Sequence, residues 1–173
     1  AICGHWRHRG GGALYSNGGI YPFDRTLIQG LDVRDKSIRV LDMSRIGPVL
    51  NGDAEDIGSG PPVTAMLIQN TNPIVVAPDQ NLVRQGFARE DLFVCVHEQF
   101  LTDTAKFADI VLPATTFLEH DDLYQSGGHS HIQLGARVIE PLAECRPNHF
   151  VHCELAHRLG AKHPGFEMSE MEI

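Results

Sequence analysis

The segment from Asp91 to Glu119 constrains the fold most strongly, because it contains two buried-strand patterns joined by a short polar connection. Leu92–Val96 is an apolar, β-rich run, and Ile110–Leu112 is a second apolar run that stops at Pro113. Runs of this kind are typical of parallel strands covered on both faces. The segment therefore predicts two parallel strands, each followed directly by polar residues.

The chain around this segment alternates strand patterns with helix patterns. Val63–Ile68 predicts an earlier strand, and Gln80–Arg89 predicts a helix that Asp79 caps. The last strand extends over Asp109–Leu112. Because such alternation is typical of βαβ units, we expect a three-layer, Rossmann-like α/β domain with a mainly parallel sheet. The side chains predicted to be buried in this sheet are Leu67, Val94, Val96, Ile110 and Leu112.

Two further helices are predicted from their first residues. Thr102 can cap a short helix between the two strands, and Asn148 can cap the last helix, which Gly160 ends. The apolar face of this last helix consists of Phe150, Val151, Leu155 and Leu159.

The composition predicts two zones. Residues 1–60 form a glycine-rich, irregular N-terminal segment with one helix over Ser37–Asn51, and residues 61–173 form a compact α/β cofactor-binding domain. Arg7–Arg9 runs into Gly10–Gly12, and glycines recur at Asn17–Gly19. Such a stretch either cradles a phosphate with its backbone N–H groups or is a flexible connection.

Charge and cysteine spacing exclude several classes of function. A formal net charge of −8 argues against nucleic-acid binding, which requires clustered Lys and Arg. Four cysteines without a CxxC pair fit neither an iron–sulfur cluster nor a structural zinc site. The sequence also contains no membrane-spanning run and no signal-peptide pattern. The compartment stays open, with the cytoplasm as the first expectation.

Polar residues follow the predicted strands at the edge where α/β sheets bind ligands. Asn70–Asn72 carries amides and a hydroxyl that suit a purine or a ribose, or that simply make a turn. His97 and Glu98 end the next strand, where a carboxylate suits ribose hydroxyls or is merely solvated. Glu119 and His120 follow the last strand. A metal site is an alternative for the side chains of His120, Asp121, Asp122, His129 and His131.

The residue types and the order of these motifs resemble those of a known protein family. The motifs are Asn70–Pro73, then Leu92–Val94, then FLTDTAKFADIVLPATTFLE with Asp121 directly after it. In this order they resemble the catalytic subunits of molybdopterin oxidoreductases, such as formate dehydrogenases, nitrate reductases and dimethyl sulfoxide reductases. The resemblance extends from Ile38 to Gly160.

The resemblance implies a molybdopterin guanine dinucleotide whose guanosine end is bound by this domain. The implied cofactor-binding residues are Asn70, Thr71, Asn72, His97, Glu98, His120 and Asn148. Relatives commonly carry Ser-Asp at the second strand end, so His97 departs from the pattern and Glu98 keeps the acid. No catalytic residue and no metal ligand is implied within this chain.

The resemblance also implies that the chain is one domain of a larger subunit. Molybdenum, and an iron–sulfur cluster where the parent has one, would be held by other parts, so the chain alone should be inactive. Its partners would be the remaining domains of the subunit and an electron-transfer subunit. The alternative is a non-catalytic scaffold domain of the kind found in the large iron–sulfur subunit of complex I. A freestanding regulatory nucleotide-binding domain is a third hypothesis.

Overall fold

The computed structural model describes residues 3–11, 21, 23–125 and 130–172. The strands in this part of the chain are β1 (Ala65–Gln69), β2 (Phe93–Glu98), β3 (Ile110–Pro113), β4 (Asp122–Gln125) and β5 (Ile132–Gly135). The α-helices are α1 (Thr26–Gln29), α2 (Ile46–Leu50), α3 (Ala54–Ile57), α4 (Pro73–Val76), α5 (Gln80–Phe87) and α6 (Asn148–Arg158). Short 3₁₀ turns lie at His5–Arg7, Met43–Arg45, Ala105–Phe107 and Pro164–Phe166.

The first three strands form one parallel sheet in the order β1-β2-β3. Ala65 pairs with Phe93, and Cys95 pairs with Ile110. Strand β1 begins two residues and β2 one residue later than predicted, whereas β3 begins at Ile110, the first residue of its apolar run. The predicted parallel sheet is therefore confirmed, and it brings the ends of all three strands to one edge.

One face of this sheet carries the hydrophobic core. Ile68, Val94 and Val96 project from β1 and β2 to this face and are almost fully buried. Helices α2, α4 and α5 cover them with Leu50, Ile74, Val83 and Phe87. Val94 and Val96 are thus buried as predicted.

Close approach of α2 to α5 depends on a glycine. A Cβ atom at Gly86 would lie 2.5 Å from Cβ of Leu50, closer than real Cβ atoms come. The absence of a side chain lets the two helices pack together over the sheet. Helix α2 therefore contributes to the core, although it lies in the segment before residue 60.

The opposite face of the sheet is largely open. Leu67 is 40% exposed and Ile110 is 46% exposed, while Leu112 is half-buried, so the prediction that these three are buried was wrong. Successive strand side chains point to opposite faces, and on this side α6 is the one helix of the described residues that borders the sheet, across a groove of about 970 Å³. In the described part of the chain, the predicted third layer is consequently represented by α6.

The helix predicted over Ser37–Asn51 is shorter than expected. Ser37 donates from its backbone and hydroxyl to Asp35, which ties it into a turn. The 3₁₀ turn begins only at Met43, and α2 follows at Ile46. Pro48 explains the late start, because proline is tolerated in the first turn of a helix but not in its interior.

Three predicted helix starts have different outcomes. Asp79 caps α5, since its Oδ1 accepts a hydrogen bond from the backbone of Leu82 at 3.3 Å. Thr102 likewise accepts from the backbone of Ala105 at 3.1 Å. Asn148 does not cap α6, and this prediction was wrong. It is the first helical residue, after Pro147, and its side chain bonds across the sheet edge instead.

After β3 the chain forms the antiparallel pair β4 and β5. Leu123 faces Leu134 across this ladder. In the N-terminal stretch, for which phosphate binding and a flexible connection were the two alternatives, Arg7 and Arg9 are exposed. Gly12 and Asn17–Gly19 lie outside the described residues. The division at residue 60 stays a prediction.

Candidate functional site

The carboxyl edge of the sheet gathers four chain segments side by side. Gln69 at the end of β1 pairs with His97, and Glu98 at the end of β2 pairs with Pro113. Beyond β3, the backbone N–H of Arg146 donates to Pro113 O at 3.0 Å, and Arg146 O accepts from Thr115 N at 3.2 Å. Residue 146 thus continues the edge as a short fourth segment that leads into α6.

Three side chains from three of these segments form a hydrogen-bonded row. Nε2 of Gln69 lies 2.8 Å from Nδ1 of His97 and 3.3 Å from Oδ1 of Asn148. Nε2 of His97 lies 3.1 Å from the carbonyl oxygen of Arg146. The row therefore joins the ends of β1 and β2 to the start of α6.

His97 lies beneath this edge rather than at its surface. Its side chain has no exposed surface, and both ring nitrogens are bonded within the chain. A direct contact with a ligand, which the resemblance implied, is therefore not available to His97 in this arrangement. Its ring instead holds Gln69 in place.

The loop after β1 has polar side chains of two kinds, which are exposed or turned inward. Asn70 has a φ of 55°, in the left-handed region that asparagine tolerates, and its side chain is exposed together with that of Thr71. Asn72 turns inward: its Oδ1 accepts from the backbone N–H and the hydroxyl of Thr104, at 3.1 and 2.7 Å. Asn72 thereby ties this loop to the loop after β2.

Glu98 and His120 lie on neighbouring loops that Thr115 connects. Glu98 is half-buried, and its Oε1 accepts from the backbone of Gln99 at 2.8 Å. Nε2 of Gln99 donates to Thr115 O at 2.8 Å, and the Thr115 hydroxyl lies 2.8 Å from Nδ1 of His120. In the described part of the chain no hydrogen bond joins His120 to Glu98 or Asn148 directly.

Glu119 has a structural role. It is buried, its Oε2 accepts from the backbone and hydroxyl of Thr116, and its Oε1 accepts from the backbone of Leu142. These N–H groups hold the pKa of Glu119 below its ordinary value, first that of Thr116 and then that of Leu142. Glu119 therefore closes the loop around His120 rather than facing a ligand.

This carboxylate should make stability depend on pH. A depressed folded-state pKa contributes stability above the unfolded pKa of about 4.3, and the contribution is lost as pH falls through the folded value. We expect Glu119→Gln to lower the urea midpoint at neutral pH and the gap from wild type to shrink below about pH 4. Urea titrations across this pH range measure it. Glu90→Gln, at an exposed carboxyl, is the control, and a pH-independent gap would contradict the prediction.

Comparison with known proteins shows the family of the chain. Residues 50–158 match the family model for molybdopterin oxidoreductases, which covers more than half of the chain. The chain belongs to the molybdopterin oxidoreductase family. Membership of this family implies a molybdenum–pterin cofactor.

Relatives extend along nearly the whole of this molybdopterin oxidoreductase domain. The probable oxidoreductase YoaE of Bacillus subtilis is 44% identical, over 92% of this chain and 23% of the relative. Trimethylamine-N-oxide reductase of Haemophilus influenzae is 30% identical, over 91% of this chain and 22% of the relative. The chain thus spans less than a quarter of the length of these proteins.

A solved structure supports the fold. Acetylene hydratase from Pelobacter acetylenicus superimposes with a TM-score of 0.54 and 26% identity, over 65% of this chain and 15% of that one. The similarity agrees with the mixed helix and strand architecture around a parallel sheet.

The metal-site alternative can be tested only within the described residues. Within them, no three His, Cys, Asp or Glu side chains gather as a metal site. His120 lies 3.9 Å from Asp122, and His129 falls outside the described part. No helix in that part is long and apolar enough to cross a membrane.

Sequence reasoning about this molybdopterin oxidoreductase domain missed two residues at the sheet edge. Gln69 directly follows the predicted strand Val63–Ile68 and was not named as a candidate, although it precedes Asn70 and is half-buried at the carboxyl end of β1. Arg146 was not considered, because a single bridge to Ala114 leaves no periodic pattern. The signal available for Gln69 was its polar character at the last position of an apolar strand.

Proposed function

We propose that this chain is the part of a molybdenum-dependent oxidoreductase that binds the guanosine end of a molybdopterin guanine dinucleotide. The observation that carries the proposal is the row of Gln69, His97 and Asn148 at the carboxyl edge of the parallel sheet. Ligands of open α/β sheets bind at this edge. Family membership supplies the class of ligand.

The polar groups at the edge fit a guanosine. Both hydrogens of the Gln69 amide are used within the row, so its Oε1 is left as an acceptor and Nδ2 of Asn148 as a donor, each without a partner in the described part. Guanine offers a keto acceptor beside N–H donors, which matches such a pair. The half-buried carboxylate of Glu98 suits the two ribose hydroxyls.

The remaining predicted residues line the same edge in supporting roles. The exposed Asn70 and Thr71 stand directly after β1, where they would meet the nucleoside. Asn72 holds their loop against Thr104, and His120 is hydrogen-bonded to Thr115 on the loop after β3. His97 would act through Gln69 rather than by contact.

The domain's task is binding and orientation. When bound, the molybdenum–pterin group supplies two-electron chemistry that the protein does not perform by itself. The chain covers less than a quarter of its relatives, so the parts that hold the metal and pterin, and an iron–sulfur cluster where there is one, are proposed to lie in other regions of the full-length protein. The chain alone is proposed to be inactive, and electron-transfer partners would dock on the complete subunit.

The affinity of this chain for a mononucleotide should be weak, because most of the cofactor would be held elsewhere. We expect GMP to bind with a Kd of roughly 1 mM, about −4 kcal/mol, and more tightly than AMP. Glu98→Ala should weaken both, since both carry the ribose. Chemical-shift titration with each nucleotide measures the affinities, and melting curves check that each variant is folded.

A matched control tests whether the effect belongs to the edge. Glu90 is an exposed acid before β2, at the opposite end of the strands, and Glu90→Ala should leave both affinities unchanged. If GMP and AMP bind equally, or Glu98→Ala has no effect, the edge is not a guanosine site. The scaffold role of the complex I type would then replace the present proposal.

A further inference from the structure

The side chain of Gln69 lies between His97 on β2 and Asn148 on α6, and its hydrogen bond to His97 fixes the orientation of its amide group. On one side its Nε2 meets the buried ring of His97 at 2.8 Å, and on the other it meets Oδ1 of Asn148 at 3.3 Å. The amide group has two N–H bonds, and this arrangement uses both. In the described part of the chain, its carbonyl oxygen, Oε1, has no hydrogen-bond partner.

The direction of the Gln69 amide follows from the backbone around Arg146. A carbonyl oxygen only accepts, so Nε2 of His97, 3.1 Å from Arg146 O, must be the protonated nitrogen. In a neutral ring Nδ1 is then the acceptor, and it requires an N–H from Gln69. If the amide turned over, its oxygen would face both Nδ1 and Oδ1 of Asn148, placing acceptor against acceptor. The contact with the buried ring of His97 disfavours the turned-over form, whereas the exposed amide of Asn148 can itself turn over and does not decide the orientation.

We propose that Gln69 reads the base: its Oε1 accepts a hydrogen bond from the exocyclic amino group of guanine, and His97 is the positioning residue that keeps this oxygen turned to the site. The inference rests on the proposed guanosine site and adds a residue that determines its specificity. With the ribose held at Glu98, the base has one orientation. A fixed acceptor at Gln69 beside a donor at Asn148 then distinguishes guanine from adenine, whose amino and acceptor positions are exchanged.

The contact can be isolated by comparing GMP with IMP, because hypoxanthine differs from guanine only in lacking the amino group. Wild type should bind GMP roughly two- to tenfold more tightly than IMP, the range for one hydrogen bond. Gln69→Leu keeps a similar volume but has no acceptor. Its GMP/IMP ratio should fall to about one, with the affinity for IMP nearly unchanged.

Gln85 provides the matched control. It is an exposed glutamine of α5 with no side-chain hydrogen bond in the described residues, and Gln85→Leu should leave the GMP/IMP ratio at the wild-type value. Chemical-shift titration of the 173-residue chain and its two variants with GMP and IMP gives all six affinities, and melting curves verify folding. A GMP/IMP ratio that Gln69→Leu leaves unchanged would overturn the proposal.

The positioning role of His97 is tested by the GMP/IMP affinity ratio, which a purely structural role of His97 would not change selectively. His97→Gln can still offer an oxygen to Gln69 and an N–H to Arg146 O, so it should preserve the GMP/IMP ratio, whereas His97→Leu should abolish it. If His97→Leu fails to fold, ¹⁵N NMR of the wild-type ring decides the point. We expect a protonated Nε2 and an unprotonated Nδ1, and the opposite tautomer would overturn the positioning role.

Failure of this inference is distinguishable from failure of the proposed function. If wild type does not prefer GMP over AMP, the guanosine site itself is absent. If wild type prefers GMP over AMP and Glu98→Ala weakens both, but Gln69→Leu keeps the GMP/IMP ratio, only the role of Gln69 is wrong.

Discussion

Replacing Val94 by aspartate is expected to unfold the chain. Val94 is the second residue of β2, has no exposed surface, and packs against the helices that cover this face of the sheet. A carboxylate at this position would be buried without a partner, at a cost above about 4 kcal/mol. Domains are stable by only about 5–15 kcal/mol, and this one leaves one face of its sheet largely open. Circular dichroism and urea denaturation measure the effect.

The open face provides the matched control for this prediction. Leu67 lies on the adjacent strand, but its side chain points to the opposite face and is 40% exposed. The same substitution, Leu67→Asp, leaves the new charge in contact with water and should cost no more than about 1 kcal/mol. Equal urea midpoints for the two variants would contradict the assignment of the core to one face.

Removing the carboxamide of Asn72 is expected to have the second largest effect. Its Oδ1 accepts two hydrogen bonds from Thr104, whose side chain has no exposed surface and whose hydroxyl accepts from the backbone of Ile74. Asn72→Ala would leave the backbone N–H of Thr104 without an acceptor, at a cost of about 1–3 kcal/mol. Each kcal/mol should lower Tm by roughly 2–4 °C in a chain of this size.

The neighbouring residue Thr71 provides the control, because a Tm change caused only by closeness to the site would appear there too. Its side chain is exposed and makes no hydrogen bond in the described residues, so Thr71→Ala should leave Tm nearly unchanged. Asn72→Asp keeps an acceptor oxygen and should lose less than Asn72→Ala. Calorimetric melting curves that coincide for Asn72→Ala and Thr71→Ala would contradict the Asn72–Thr104 link.

Local patterns in the sequence predicted the sheet well because strands and caps depend on adjacent residues. The apolar runs around Val94 and Ile110 predicted the bounds of β2 and β3 to within two residues, and the parallel order followed from the helices predicted between strands. Asp79 and Thr102 were predicted as caps, since a cap needs only a polar atom and the backbone N–H three residues on.

The same reasoning failed where a distant partner competes for a side chain. Asn148 has the residue type of a helix cap, but Gln69, far earlier in the chain, takes its oxygen. Leu67 and Ile110 have the residue type of a core, but burial depends on which elements cover each face, and α6 stands off across the groove. Neither the partner of Asn148 nor the elements that cover each face of the sheet can be inferred from residues that are adjacent in the sequence.

For the candidate site, the sequence by itself determined that polar residues follow apolar strands, and so that Asn70, Glu98 and His120 come to one edge of a parallel sheet. Only the tertiary structure decided which of these side chains face outward. It buried His97, engaged Asn72 with Thr104, and turned Gln69 so that its Oε1 is left without a partner in the described chain. The reason is that strand position depends on local periodicity, whereas the direction of an amide or an imidazole depends on donors and acceptors brought together from several segments.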